Sequence, residues 1–159
     1  MVPAGAFKTP SSEETARIVD ADGDGNLRSL ENLTMNGSAV FNFVQKEVPP
    51  MVDDLLNYAG YTKDEIDWYL FHQPNKFMLE KLADRLGVPR GKMPNNVVSN
   101  YGNSSGVTIP VNIATNVGQA LVSGVARCCL AGFGGGLTVA GSVMELGGLL
   151  FCESVISPY

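Results

Sequence analysis

Histidine occurs only once in this chain, at position 72, so any histidine chemistry has a single address. Cysteine is scarce and poorly placed for cross-linking. Cys128 and Cys129 are neighbours inside an apolar run and Cys152 lies near the end, which excludes a disulfide framework and metal-ligand spacing and points to reduced thiols. Long apolar runs are missing. Each apolar stretch is broken by Gly, Asn or Arg before the roughly 20 residues a membrane span needs, and the N-terminus lacks a charged-then-apolar leader. A cytoplasmic protein without a membrane partner is therefore the default expectation. Charge is also sparse, at 17% of residues and net -5, with no basic stripe, so nucleic acid is not an expected partner.

The 159 residues suffice for one domain with a real core. Ile66, Trp68, Tyr69, Leu70 and Phe71 read as a buried strand, and Pro74 suits the first turn of a following helix. His72 then falls at the carboxyl end of a strand, where α/β sheets place ligands and catalysis. A hydrogen-bonded structural histidine is the competing reading.

Along the chain, Ser11 or Ser12 with Glu14 and Thr15 offers a helix-capping signal. Asp20, Asp22, Asp24, Gly25 and Glu31 match a calcium-loop pattern, with acids at alternating positions, a glycine for the turn and a closing glutamate. Flanking amphipathic helices and a second loop are lacking, so a solvated acidic turn is the alternative and the overall expectation is no metal. Val40, Phe41, Val44, Val48, Met51, Val52, Leu55, Leu56 and Ala59 recur at helical spacing. Pro49 and Pro50 predict a kink or two helices in series. Thr62 with Glu65 predicts a short capped turn, and Phe77, Met78, Leu82, Ala83 and Leu86 a helix stopped by Gly87 and Pro89. Residues 95–99 read as a strand leading into a polar loop at 100–106. Ile109, Ile113, Val117 and Leu121 continue at helical spacing. Residues 125–133 and 137–146 predict two antiparallel strands joined by Gly134, Gly135 and Gly136, the first central and buried on both faces.

His72, Asn103 and the glycine turn thus follow three successive expected strands. A histidine and an asparagine aimed at one point can stabilise an enolate or oxyanion, and glycine N–H groups can form another such hole. The plain alternatives are a turn-forming asparagine and a tight hairpin.

The segments HQPN (72–75), YGNSSGVTIP (101–110) and AGFGGGLTVAGS (131–142), with LTMNGSAVFNFV (33–44), resemble the C-terminal half of β-ketoacyl-acyl carrier protein synthase III, in the thiolase superfamily. The resemblance implies an α/β fold, half of a thiolase-like architecture, with a mixed sheet of about four or five strands and packed helices. It also implies three regions: a segment at 1–32 with the acidic loop, the half-domain at 33–146 and a tail at 147–159. In site terms it implies that His72 and Asn103 bind a malonyl thioester carbonyl and stabilise the enolate released by decarboxylation. The N–H of Gly135 would join an oxyanion hole, Phe133 would sit beside the nucleophile and Asn75 would border the pantetheine tunnel. The implied substrates are coenzyme A and acyl carrier protein thioesters, with no cofactor. The implied partners are the carrier protein, acyl-CoA, and a missing N-terminal half or a second copy. Nothing in the chain matches the surroundings of the family's nucleophilic cysteine, so these residues alone are expected not to condense. A basic residue common in the family at the position of Phe77 is replaced, with Lys76 adjacent. A non-catalytic binding or scaffold domain and a secondary-metabolite condensing enzyme are the rival readings.

Overall fold

The computed structural model describes residues 4–5, 8–20 and 23–155. They fall into two compact units, Met1–Val40 and Phe41–Tyr159.

In the first unit the expected cap is present. Helix α1 (Glu13–Ala16) starts on Ser12, whose side chain accepts from the Thr15 N–H while the Thr15 hydroxyl accepts from the Ser12 N–H. Strands β1 (Val19–Asp20) and β2 (Leu27–Arg28) pair antiparallel around the acidic loop. Gly23 and Gly25 take positive φ there, at 80° and 84°, which glycine adopts without penalty.

The long helix α2 (Gly37–Ala59) contains Pro49 and Pro50 and is nonetheless one continuous element rather than two in series. Its buried stripe of Val44, Val48, Val52 and Leu56 runs through the prolines, so packing along one face outweighs the missing donors. After the capped turn at Lys63–Glu65 comes β3 (Trp68–Phe71). Helix α3 (Lys76–Leu86) follows and ends on Gly87 in the left-handed conformation.

Residues 95–99 do not form a strand. They enter a short helix, α4 (Val97–Tyr101). The first-turn N–H groups of Val97 and Val98 donate to the Gln73 side-chain oxygen at 2.9 and 3.3 Å, which caps the helix from outside its own sequence. A 3-10 turn, Ser105–Val107, leads into α5 (Thr108–Asn112), a π-helical turn (Ile113–Val117) and α6 (Gly118–Ser123).

Strands β4 (Val125–Gly134) and β5 (Thr138–Gly147) complete a three-stranded mixed sheet in the order β3-β4-β5. β4 is central, parallel to β3 and antiparallel to β5. The described strands therefore number five, but they divide between this sheet and the separate β1-β2 ladder. Side chains alternate across the sheet. Leu70, Ala126 and Cys128 face Val117 and Leu121 in one core cluster. On β5, Gly141 meets α2: a Cβ at Gly141 would lie 2.8 Å from Met51 Sδ. Helices thus cover both faces, and β3 delivers its last residues to one end of the sheet.

Candidate active site

His72 immediately follows β3. Its N–H donates to the Ala131 carbonyl at 2.8 Å, extending the β3-β4 ladder by one bond, so the backbone beneath the imidazole is held rigidly. The ring is half-buried. It lies edge-on to Phe133 of β4, with centroids 5.6 Å apart and an interplanar angle of 69°. Its Nδ1 is 2.6 Å from the hydroxyl of Thr108, a fully buried residue at the start of α5. Burial lowers the His72 pKa below its ordinary value, and the opposing pull of the Ser105 backbone is smaller. A neutral imidazole at physiological pH follows.

Asn103 lies in the loop between α4 and α5. Its Oδ1 accepts from the Ser105 N–H at 3.0 Å, an Asx-type turn that fixes the amide plane. Ser105 takes φ 54°, a conformation rare for a residue with a Cβ, and its carbonyl accepts from Thr108. Backbone held in such a conformation clusters at functional sites. His72, Thr108, Ser105 and Asn103 are therefore joined in one chain of contacts. Phe133 belongs to the same assembly through the ring contact.

The other expected site residues are placed differently. Asn75 is the N-cap of α3, its Oδ1 accepting from the Met78 N–H at 3.1 Å. Its side chain thus has a structural function whatever it borders. Pro74 precedes this cap instead of occupying the first helical turn. Gly135 is exposed in the β4-β5 turn, where its carbonyl accepts from the Thr138 hydroxyl at 3.2 Å. The adjacent Gly136 has φ 139°, and a Cβ there would meet Thr138 Cγ2 at 2.8 Å, so glycine is required at that point of the turn.

In the acidic loop, Asp20 accepts from the N–H groups of Gly23 and Gly25 at 2.9 and 3.3 Å. Glu31, the closing ligand of the pattern, is engaged by the hydroxyls of Ser11 and Thr15, both at 2.6 Å from Oε1. Those contacts, Ser11 first, hold its carboxyl below the usual range. Asp22 lies outside the described residues. Among the described residues, no three His, Cys, Asp or Glu side chains converge as a metal would require.

Neither Cys128 nor Cys129 is placed to act as a nucleophile. Both are fully buried in β4, and burial pushes their thiols up to about 11 and about 12. Titration with a thiol reagent near neutral pH should therefore label Cys152 alone in the folded protein and all three cysteines in denaturant. Rapid native labelling of more than one thiol would contradict the burial.

Two residues of the site had no local signal. Gln73 is fully buried, with its Nε2 donating to the Pro94 carbonyl at 2.7 Å while its oxygen caps α4. Thr108 reads in sequence as an ordinary early-helix residue. Only the fold brings it to His72.

Among the described residues, no helix is long and apolar enough to cross a membrane. The profile of the family described as 3-Oxoacyl-[acyl-carrier-protein (ACP)] synthase III C terminal matches residues 56–146. The β-ketoacyl-[acyl-carrier-protein] synthase III of Lactococcus lactis subsp. lactis is 38% identical over 117 residues, covering 72% of this chain and 36% of that protein. The Streptococcus gordonii protein of the same name is 42% identical over 108 residues, covering 67% of this chain and 33% of its own length. The crystal structure of a 3-oxoacyl-(acyl-carrier protein) synthase from Burkholderia xenovorans superposes with a TM-score of 0.79 at 36% identity. That match takes in 96% of this chain and 41% of the other. The chain spans about a third of the length of these curated relatives. With the profile match over more than half its residues, the chain belongs to the 3-oxoacyl-[acyl-carrier-protein] synthase III C-terminal family.

Proposed function

We propose that these residues supply the decarboxylation half of a condensing enzyme of fatty acid biosynthesis, an acyltransferase that joins malonyl-carrier protein to an acyl-CoA primer. The observation that carries this reading is the linked set His72, Thr108, Ser105 and Asn103 at the carboxyl end of β3. Here a neutral imidazole and a fixed amide are the donors that a thioester enolate needs.

The chemistry divides between two centres. When the malonyl carboxylate leaves as carbon dioxide, the electron pair of the breaking bond moves into the thioester carbonyl and gives an enolate. A neutral Nε2–H of His72 and the Asn103 amide would hold its oxygen. Donors fixed before the charge develops need no reorganisation as it forms. The Gly135 N–H would serve the acyl thioester in the second hole, with Phe133 and Asn75 bordering the substrate. The attacking cysteine would come from the part of such an enzyme that these residues do not cover, since the thiols of Cys128 and Cys129 are buried and held protonated. Carrier protein and acyl-CoA are then the partners, thioesters the substrates, and no cofactor is needed. A cytoplasmic site of action fits those substrates.

Release of carbon dioxide from malonyl-CoA by the chain tests this directly. His72→Ala or Asn103→Ala should each lower the rate about 10²- to 10³-fold, the usual consequence of removing one oxyanion donor. Unchanged rates in both variants would overturn the assignment.

A further inference from the structure

Asn103 is carried by a loop, and groups on loops are held less precisely than groups on strands or helices unless a supporting shell fixes them. The bond from the Ser105 N–H shapes the turn without anchoring it. The anchor lies further along the chain, at Asn116 in the π-helical turn. Its Nδ2 donates to Asn96 Oδ1 at 2.9 Å and to Asn112 Oδ1 at 2.8 Å. Asn96 immediately precedes α4 and Asn112 ends α5, so one carboxamide joins the two elements between which the Asn103 loop runs.

Both ends of this bridge are unusual. An asparagine at the head of a helix ordinarily caps that helix with its own side chain. Asn96 does not: the first N–H groups of α4 go to Gln73, which leaves the Asn96 oxygen for Asn116. Asn112 is fully buried, and its Nδ2 has no hydrogen-bond partner among the described residues. A buried amide left half unsatisfied is costlier than an apolar side chain of the same size, so packing does not account for it. What the asparagine contributes at that position is the oxygen that meets Asn116. The bridge also falls where the helix departs from α geometry, and such π-turns are frequent at functional sites.

We propose that Asn116 is a positioning residue for Asn103: by tying Asn96 to Asn112 it closes the base of the segment at 97–111 and keeps the Asn103 amide where an enolate oxygen would meet it. The chemistry given to Asn103 rests on the function proposed above, but the anchoring of its loop does not. Asn116 acts through the backbone on either side of Asn103 and not on substrate. Asn116→Leu keeps the bulk of the side chain and removes both bonds, so it frees the loop while leaving Asn103 and His72 in the chain.

Backbone 15N relaxation reads the loop without any substrate. Asn103, Ser104 and Ser105 should show order parameters of about 0.85 in the unchanged chain and below about 0.6 in Asn116→Leu, while β4 and β5 keep theirs. An unchanged loop in a folded Asn116→Leu overturns the proposal, and so does a loosening that spreads to β4 and β5, the mark of a general structural role. Malonyl-CoA decarboxylation should fall about 10- to 100-fold in Asn116→Leu, the loss expected when a remote change misplaces a reacting group. In an Asn103→Ala background the same substitution should cost nothing more, because the group it positions is already gone. An equal fall in both backgrounds overturns the proposal. Should Asn116→Leu not fold, Asn96→Ala cuts one of the two bonds at a part-buried position and is held to the same outcomes. If the loop responds as expected but no form decarboxylates malonyl-CoA, the proposed function fails and Asn116 stands as the anchor of the loop.

Discussion

Phe71→Ala should destabilise the second unit by about 3–5 kcal/mol, the usual loss for deleting a buried aromatic side chain. Phe71 is 1% exposed and packs edge-on to Tyr69, with centroids 5.9 Å apart and planes at 83°. It is also the last residue of β3, next in the chain to His72, so the cavity opens at the strand end that carries the histidine. Against a total stability of roughly 5–15 kcal/mol for an ordinary domain, such a loss leaves little in reserve. Tyr69→Phe is the internal control. It keeps the ring and deletes only the hydroxyl that donates to the Lys63 carbonyl at 3.0 Å, a loss of about 1 kcal/mol. Urea unfolding of both variants decides the matter: equal costs would mean that the packing of β3 is not what holds this end of the sheet.

The second large effect belongs to Gln73. One carboxamide donates to Pro94 and accepts from Val97 and Val98, with no exposed surface of its own. Gln73→Ala orphans those groups in a part-buried setting, each worth about 1–3 kcal/mol, and should cost about 3 kcal/mol in total. Gln73→Glu gives the cleaner reading. As a neutral acid it can still donate to Pro94 and accept from Val97, but as a carboxylate it would face the Pro94 carbonyl without a proton. Its folded pKa is then raised above the unfolded value. Stability is therefore retained at low pH and lost as pH rises through the folded pKa. The urea midpoint of Gln73→Glu should fall between about pH 5 and pH 8 relative to the unchanged chain. A flat difference across that interval, or a Gln73→Ala variant as stable as the unchanged chain, would remove the clamp from the account.

What the sequence made legible was local. The Ser12 and Thr62 caps, the Gly87 stop and the β4-β5 hairpin are each specified by residues within a few positions of one another. Three ordered motifs then carried the family. The misreadings arose where a distant partner decides. Val97 and Val98 form a short apolar run that suits strand or helix equally, and the side chain that settles it is 24 positions away. Pro49 and Pro50 argue for a break by local rules, but the buried face of α2 overrides them. His72 and Asn103 could be named from the motifs. Thr108 could not, because nothing near position 108 indicates that it will meet a ring 36 positions earlier.

The pairing of β3 with β4 also bears on how the chain reaches this state. Hydrogen-bonded neighbours in the β4-β5 hairpin are joined by a three-residue connection, whereas Trp68 and Cys128 across the parallel ladder are 60 positions apart. Loop closure over that distance must be met before any of its contacts are gained, so the hairpin should form early and β3 should dock late. His72 rides on the late-docking strand, and its backbone bond to Ala131 forms only with that ladder. Folding intermediates that already hold the hairpin would therefore still lack the site, which becomes whole only at the last step of assembly.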